Sequence, residues 1–259
     1  MSVSFYQFGE HVASSRYRAI IPAEELAKLG VQRGNQWLVI GKHSWNWDVA
    51  TQGFEKVCYD VCDDHFNDRL QNHYRECVDR ADLVTCNSHE MRRVIKRETG
   101  RDATVIADPY EWPQRSPKFG HSLLWFGHAL NLQDVAPYIQ TMKPEIVTND
   151  GYGFTTWTKD NMQCAFDRAG MVILPTGKSM AKSGNRAIEA IRQGLFVVHG
   201  YLPAYGDLGM YCGDIGDGVE WAKRNKDEVI ERIRKAQNYI RDEYSPIKIA
   251  KQWKAALSL

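Results

Sequence analysis

The sequence has no long apolar run, and its positive and negative charges almost cancel. No segment approaches the roughly 18 apolar residues that a transmembrane helix needs, so we expect no membrane span. The N-terminus carries neither a basic region nor a long apolar segment, and no signal peptide is expected. With 33 Lys and Arg against 32 Asp and Glu in 259 residues, the net charge is +1. No global field therefore draws the chain to nucleic acid or an anionic membrane.

Several ligand-binding motifs are also missing. The 6 cysteines include no C-x-x-C pair and no His/Cys spacing suited to zinc, so we expect reduced thiols in a cytoplasmic protein. No G-x-G-x-x-G follows the first predicted strand, which argues against a dinucleotide oxidoreductase. No Asp-x-Asp metal motif occurs, and neither a metal nor another cofactor is expected.

Short apolar runs alternate with helical stretches along most of the chain, which has the 43% hydrophobic content of an ordinary globular protein. The pattern predicts eight strands, at 37–40, 56–61, 83–86, 104–107, 122–126, 145–148, 171–175 and 195–198. Helices of about ten residues between strands indicate βαβ units and parallel sheets. The predicted fold class is α/β.

A polar stretch with two prolines, residues 111–118, interrupts this alternation and predicts a linker. We therefore predict two Rossmann-like lobes: an N-terminal lobe at 1–115, a C-terminal lobe at 116–240, and a last helix at 241–259 that packs back on the first lobe. Ligands of open parallel sheets bind beyond the carboxyl ends of the strands. The loops that follow strands, facing a cleft between the lobes, are thus the candidate sites.

The segment from 173 to 198 carries the strongest signal. A strand is followed by a small-residue loop and then by a helix that opens at Asn185, an arrangement that offers backbone N–H groups and a positive dipole end to a phosphate. Lys178, Lys182 and Arg186 add positive charge, and Glu189, one turn into the helix, is placed to accept hydrogen bonds from a ribose. The alternative is an ordinary polar loop with a surface pair between Arg186 and Glu189.

The N-terminal loop at 9–18 is a second candidate. Ser14 or Ser15 could cap a following helix, which would place Arg16 and Arg18 near its first turn, facing the cleft. The alternative is a solvated basic turn.

Two further groups follow predicted strands. Asp64 and His65, beside Asp63, suit proton transfer. The alternative is that Asp63 caps a helix and His65 is a surface residue. Trp45 and Trp47 could stack on a sugar or a base, or simply pack.

A basic helix, predicted at 90–99, follows the third predicted strand. Asn87 and Ser88 can cap it, and Gly100 ends it. The helix carries Arg92, Arg93, Lys96 and Arg97, with Arg101 just beyond, and it could contact nucleic-acid phosphates or be one solvated face.

The pattern N-R-x-x-E-A-I-x-x-G-x-x-V-V at 185–198, after a strand that ends in proline, resembles the donor-binding segment of retaining GT-B glycosyltransferases of the group 1, family-4-like type. Residues 81–90 and 105–109 are similar to the end of that family's first lobe, and 124–128 with Asn131 to the start of its second. Tyr244, Ser245 and Trp253 resemble its closing helices. The resemblance covers most of the chain and implies a GT-B fold with a shortened N-terminal lobe.

Carried onto this sequence, the resemblance implies that Glu189 holds the donor ribose. The implied donor-binding residues are Lys178, Lys182, Asn185, Arg186, Glu189 and His128. The catalytic candidates are Asp64, His65 and Lys182, and the residues lining the phosphate and acceptor are Ser15, Arg16, Arg18, Trp45 and Trp47. The family often has another glutamate eight positions before this one, where this chain has Ala181.

The implied activity is transfer of a hexose or pentose from a nucleotide sugar, such as a UDP-sugar, to a hydroxyl group, with retention and without a metal. The acceptor could be a glycan or lipid-linked sugar. A short first lobe also suits a hydroxymethylated base in DNA, as in viral DNA-modifying enzymes, which must flip their target base. A sugar-nucleotide-binding protein without transferase activity is the alternative from another class.

Overall fold

The computed structural model describes residues 1–7, 9, 12–42, 46–150, 153–177 and 179–259. These residues form two compact units. Unit 1 consists of Met1–Glu111, Ala181–Ser183 and Tyr244–Leu259, and unit 2 of Trp112–Met180 and Gly184–Glu243. Each unit contains one parallel sheet flanked by helices, which confirms the α/β class with two Rossmann-like units.

Unit 1 contains the first five strands and unit 2 the remaining six. The strands are β1 (Ser2–Phe5), β2 (Gln32–Gly41), β3 (Lys56–Val61), β4 (Leu83–Cys86), β5 (Thr104–Val105), β6 (Leu123–Gly127), β7 (Glu145–Thr148), β8 (Thr155–Thr156), β9 (Met171–Leu174), β10 (Phe196–His199) and β11 (Gly213–Asp214). Each strand predicted from the sequence overlaps one of these. The sequence analysis missed three short strands, β1, β8 and β11.

The α-helices are α1 (Ala13–Ser15), α2 (Ile21–Lys28), α3 (Trp47–Thr51), α4 (Gln71–Arg80), α5 (His89–Thr99), α6 (Leu132–Met142), α7 (Lys159–Arg168), α8 (Asn185–Arg192), α9 (Gly218–Arg224), α10 (Lys226–Glu243) and α11 (Pro246–Ala256). A π-helical segment, Arg16–Ile20, joins α1 to α2, and 3-10 segments lie at Ala129–Asn131 and Pro203–Tyr211.

The sheet of unit 1 has the order β1-β2-β3-β4-β5 and a hydrophobic cluster on each face. Side chains alternate along β2, so that Leu38 belongs to one cluster and Trp37 to the other. Helices α4 and α5 supply Tyr74 and Met91 to the Leu38 face. Helices α2 and α11 cover the Trp37 face, where Trp253 is fully buried.

The connection from β1 to β2 differs in hand from the connections that follow it. Strands β1 to β5 are adjacent in chain order and parallel, but α2 lies on one face of the sheet while α3, α4 and α5 lie on the other. Two crossovers that advance in the same direction over opposite faces have opposite hands. Three of the four crossovers in this sheet therefore share a hand, and the first is the exception.

The ends of helix α5 show how local sequence determines where a helix begins and ends. The Ser88 hydroxyl accepts a hydrogen bond from the N–H of Met91, which caps the start of the helix. Gly100 ends it in the left-handed conformation, with φ at 75°. Both ends agree with the prediction from the sequence.

The sheet of unit 2 has the order β11-β10-β9-β6-β7-β8. All four residues of β9 are fully buried, as expected for a strand covered on both faces. The chain leaves β6 towards β7, whereas it leaves β9 towards β10, in the opposite direction across the sheet. The sheet therefore has a topological switch point between β6 and β9.

Residues 112–118 of the predicted linker, which spans 111–118, are bound along helix α8 of unit 2. Arg192 donates from Nε to the carbonyl of Trp112 at 2.9 Å, and Gln193 donates from Nε2 to the carbonyl of Pro113 at 2.9 Å. Its prolines prevent regular structure. Main-chain N–H groups of Arg115 and Lys118 add hydrogen bonds to the carbonyls of Arg192 and Gly194, at 2.8 and 2.9 Å. This stretch is thus a fixed part of unit 2.

Candidate functional site

The switch point of the unit 2 sheet gathers two loops and two helix starts. His128 follows β6, and Thr176 and Gly177 follow β9, the neighbouring strand. Helix α6 begins soon after the first loop and α8 after the second. Open parallel sheets bind ligands in such a crevice at the carboxyl ends of their strands.

The loop after β9 lies so close to its neighbours that two glycine positions leave no room for a side chain. A Cβ atom on Gly177 would lie 2.4 Å from Oδ1 of Asp134, in the first turn of α6. A Cβ atom on Gly200, after β10, would lie 2.8 Å from the nitrogen of Thr176. The Thr176 hydroxyl is buried and has no hydrogen-bond partner among the described residues. The two glycines allow this close approach of the loops.

Helix α8 presents an open, positive N-terminus to this crevice. Its cap residue is Gly184, no side chain in the described part of the chain caps it, and its first turn contains no acidic residue. Arg186, in that first turn, donates from Nη1 to the carbonyl of Phe126 in β6 at 3.2 Å, so its guanidinium lies over the end of the central strand. The helix dipole and the guanidinium together favour an anion there.

Tyr205 packs against the start of the same helix. A Cβ atom on Gly184 would lie 3.4 Å from Cδ1 of Tyr205, whose ring also meets that of His199 edge-on at 4.5 Å. Burial raises the pKa of Tyr205 to about 12, although the nearby charge of Arg186 acts to lower it. Tyr205 therefore stays neutral and holds the helix start in place.

Glu189, the predicted ribose ligand, is only 2% exposed. Its Oε2 accepts a hydrogen bond from the main-chain N–H of Trp112 at 3.2 Å. This burial excludes the alternative of a surface pair with Arg186. Through this hydrogen bond the carboxylate holds Trp112, the first residue of unit 2. Its contact with a ribose stays a prediction.

His128, predicted to bind the donor, caps a helical turn. Its Nδ1 accepts a hydrogen bond from the N–H of Leu130 at 3.2 Å, and its Nε2 lies 3.3 Å from Nδ2 of Asn149. Asn149, after β7, accepts from the N–H of Ala129 at 2.8 Å. The loops after β6 and β7 are therefore joined beside the crevice.

In unit 1, a buried ion cluster lies under the carboxyl ends of β3 and β5. Arg18 donates from Nε and Nη2 to the two carboxylate oxygens of Asp60, at 2.9 and 2.7 Å, and from Nη1 to Asp108 at 3.1 Å. The Thr85 hydroxyl also donates to Asp60, at 2.7 Å. Burial acts to lower the pKa of Arg18, but Asp60 and Asp108 outweigh it and raise that pKa above its ordinary value.

The expectation for the N-terminal loop was wrong in two respects. Neither Ser14 nor Ser15 caps a helix, because α1 already begins at Ala13 after Val12, and Ser15 is fully buried. Arg18 does not face a cleft: it is 5% exposed and bound to two carboxylates and a carbonyl, so it is a structural cation.

Arg16, the other predicted arginine of this loop, donates from Nε to Oε2 of Glu111 at 2.9 Å. The exposed fractions of the two side chains are 12% and 15%. A π-helical segment begins at Arg16, and such segments occur often at functional sites.

The predicted proton-transfer group follows β3. His65 donates from Nδ1 to Oδ2 of Asp68 at 2.6 Å, and Asp64 accepts from the N–H of Phe66 at 3.2 Å in a tight turn. An imidazole held by a carboxylate at Nδ1 keeps Nε2 as its acceptor atom. The sequence analysis missed Asp68, three residues after His65, which orients the ring.

Beside this group, Lys42 pairs with Asp63 across neighbouring strand ends. Lys42 has a φ of 47°, a left-handed conformation that is uncommon for lysine, and it follows directly after β2. Burial acts to lower the pKa of Lys42, but the nearby Cys62, Asp63 and Asp108 together raise it. The lysine is therefore charged at neutral pH.

Lys182 lies in the segment Ala181–Ser183, which belongs to unit 1. The Ser183 hydroxyl donates to Oδ2 of Asp108 at 2.5 Å, while Lys182 itself is half-buried. This hydrogen bond was not predictable from the sequence, because its partners are 75 residues apart.

Trp47 packs against neighbouring side chains, which favours the interpretation that it simply packs over a stacking role. Its ring meets Tyr59 edge-on at 6.2 Å, and the guanidinium of Arg80 lies 5.5 Å from its centre. Two other predicted site residues, Trp45 and Lys178, lie outside the described residues.

The charges of the basic helix α5 are largely engaged within unit 1. Arg92 binds both oxygens of Asp102, Arg93 pairs with Glu90 and Arg97 with Glu98. Arg101 donates to three main-chain carbonyls at the end of α4, those of Val78, Asp79 and Ala81. This pairing favours the interpretation as a solvated face.

Among the described residues, no group of three or more His, Cys, Asp or Glu side chains has the geometry of a metal site. No helix in the same part of the chain is long and apolar enough to cross a lipid bilayer.

No protein-family model matches the sequence. No curated protein sequence matches it either. Similarity is found at the level of solved structures, and the three described below share 9–12% sequence identity with this chain.

HepE of Anabaena, solved with UDP and glucose, superposes with a TM-score of 0.62 at 12% identity, covering 96% of this chain and 83% of HepE. The DNA-modifying enzyme β-glucosyltransferase, solved with and without uridine diphosphoglucose, gives a TM-score of 0.56 at 9% identity and covers 100% of both chains. TarM of S. aureus gives 0.57 at 12% identity. That match covers 93% of this chain, which spans only 58% of the length of TarM.

These three proteins share the GT-B fold. At such low identity the likeness concerns the fold, and it agrees with the two parallel sheets described above. The chain has the GT-B fold of the glycosyltransferases.

Proposed function

We propose that this protein is a glycosyltransferase that uses a nucleotide-sugar donor and binds the donor diphosphate at the switch point of the unit 2 sheet. The observation that carries the proposal is the uncapped start of α8, with Arg186 over the end of β6. UDP is the preferred nucleotide in this proposal, because HepE was solved with UDP and β-glucosyltransferase with uridine diphosphoglucose.

In this proposal Arg186, Asn185, Lys178 and Lys182 hold the diphosphate, and Glu189 contacts the ribose. Cations and helix N–H groups are the donors that best stabilise the charge that builds on a leaving diphosphate. In this proposal unit 2 serves the donor together with Lys182, three residues before α8 along the chain, and the rest of unit 1 serves the acceptor.

Two stereochemical courses are open to such a site. In the retaining course that the sequence resemblance implies, the leaving diphosphate accepts the acceptor proton on the same face of the sugar. The pair of His65 and Asp68 favours a second course, because an oriented imidazole can take the acceptor proton as a general base and support inversion. The anomeric configuration of the product, read by NMR, distinguishes the two.

Neither course needs a metal, since the cationic groups named above supply the electrostatic stabilisation. The proposal therefore predicts that EDTA leaves the transfer rate unchanged, with added Mg²⁺ or Mn²⁺ as the comparison.

For the acceptor we propose a hydroxyl group of a glycan or a lipid-linked sugar. The near-zero net charge and the paired arginines of α5 favour this class over DNA. A hydroxymethylated base in DNA is the second candidate, favoured by the match to the DNA-modifying β-glucosyltransferase over the full length of both chains. Transfer from labelled donors to glycans and to hydroxymethylated DNA, measured side by side, separates the two candidates.

The primary test is calorimetric titration with UDP, UDP-sugars, other nucleoside diphosphates and uridine. The proposal predicts that a nucleoside diphosphate binds and that uridine, which lacks the phosphates, binds far more weakly. Slow donor hydrolysis without an acceptor identifies an enzyme. Tight binding with no hydrolysis and no transfer identifies a sugar-nucleotide-binding protein, and no binding of any nucleotide contradicts both.

A further inference from the structure

The segment Ala181–Ser183 is anchored on both sides of Lys182 within unit 1. Ala181 is 4% exposed and belongs to the hydrophobic cluster that contains Met91 and Ile95. Ser183 is held by the hydrogen bond from its hydroxyl to Asp108. The side chain of Lys182, between these two anchors, is half-buried.

The polar anchor is itself fixed. Asp108 is 5% exposed and accepts from Arg18, which is bound in turn to both oxygens of Asp60 and to the carbonyl of Ile106. Hydrogen bonds to charged groups are stronger and more directional than neutral ones. Asp108 therefore presents its Oδ2 to Ser183 from a buried position that its contact with Arg18 fixes.

We propose that Ser183 and Asp108 are positioning residues for Lys182. The proposal rests on the function proposed above, in which Lys182 contacts the donor diphosphate. Anchors one residue to either side fix the main chain of Lys182 and restrict the volume that its ammonium group can reach. Misplacing a group that stabilises the transition state by about 1 Å can cost about 100-fold in rate.

Position 181 supports this role. In the resembled family a glutamate often stands here, but a side chain at this position in the present chain points into a packed hydrophobic cluster. Ala181 therefore contributes packing, and the polar contacts of the segment come from its two neighbours. Packing of Ala181 and the hydrogen bond of Ser183 can therefore hold Lys182 in place without a glutamate at position 181.

The test is a double-mutant cycle of Ser183→Ala and Lys182→Ala, measured as kcat/KM for donor hydrolysis or transfer. Ser183→Ala is expected to lower kcat/KM about 10-fold in the native background and to have no further effect when Lys182 is already alanine. Ser183→Thr, which keeps the hydroxyl, is expected to retain most activity. Equal effects of Ser183→Ala in both backgrounds would overturn the proposal.

Hydrogen–deuterium exchange of residues 179–184 in the protein without ligand gives a second readout that needs no activity. Ser183→Ala is expected to speed exchange in this segment, whereas Ser179→Ala, in the same loop outside the anchored residues, is expected not to. If the native protein binds no nucleotide but the two variants differ in exchange as expected, the proposed function is wrong, whereas the structural role of Ser183 is supported. If Ser183→Ala leaves the exchange rate of this segment unchanged, Ser183 does not anchor it, whatever the activity of the variant.

Discussion

Arg18 and Asp60 form a buried two-point contact, with Nε and Nη2 of the arginine on the two oxygens of the carboxylate at 2.9 and 2.7 Å. Replacing Arg18 by methionine leaves Asp60 and Asp108 buried without their cation. We expect the free energy of unfolding to fall by about 3–5 kcal/mol, as when one partner of a buried pair is removed. Urea unfolding measures the change.

Arg33→Met is the control for this variant, because Arg33 is exposed. Exposed substitutions usually change stability by less than about 0.5 kcal/mol. Equal losses in the two variants would show that the contact between Arg18 and Asp60 does not stabilise the fold.

Trp47 offers a second prediction, since it packs against Tyr59 and below Arg80. We expect Trp47→Ala to lower stability by about 2 kcal/mol, less than for a fully buried aromatic residue, and Trp47→Phe to retain most of it. The KM for the acceptor should stay the same in Trp47→Phe. An increase in the KM for the acceptor in Trp47→Phe, without a loss of stability, would show that Trp47 contacts the acceptor.

The pair of Arg92 and Asp102 predicts a specific pH dependence. Hydrogen bonds from Arg92 lower the pKa of Asp102 to about 2, with a smaller contribution from the N–H of Ala103. Because the folded pKa lies below the ordinary value of 3.8, the stabilisation is present above that value and is lost as the pH falls through about 2.

We expect Arg92→Gln to move the pKa of Asp102 back towards its ordinary value, as read by NMR titration of the carboxyl carbon. Arg93→Gln is the matched control, since Arg93 pairs with Glu90 on the same helix. The same pKa of Asp102 in the native protein and in Arg92→Gln would show that Arg92 is not its cause.

Arg186 is the side chain with which the donor site can be tested most simply. We expect Arg186→Ala to weaken UDP binding about 10- to 100-fold, the range for removing a hydrogen bond to a charged group, while uridine binding changes little. Arg234→Ala is the control, because Arg234 is exposed on α10 of the same unit and pairs with Glu231. Isothermal titration calorimetry provides both values, and a parallel loss for UDP and uridine would argue against phosphate contact.

Local features were predictable from the sequence, whereas long-range pairings were not. The cap at Ser88 and the stop at Gly100 depend on residues within one turn, and both were predicted. The burial of Arg18 depends on Asp60 and Asp108, which lie 42 and 90 residues away along the chain. No local pattern distinguishes such an arginine from one that binds phosphate.

In the candidate site, too, local motifs were predictable from the sequence and the arrangement of distant segments was not. The small-residue loop and the helix start at Asn185 were visible as a motif, and the structure places them at a switch point. Strand β1 was missed because it has only four residues, two of them apolar, which is too short for its alternation to stand out. Without β1, neither the strand order of unit 1 nor the opposite hand of its first crossover could be inferred.

The central claim, that a nucleoside diphosphate binds at the start of α8, is tested most directly by NMR mapping of amide chemical shifts during a UDP titration. The account predicts the largest shifts at Gly177 and at residues 184–187, with much smaller ones when uridine replaces UDP. Shifts confined to other parts of the chain, or equal responses to UDP and uridine, would contradict it.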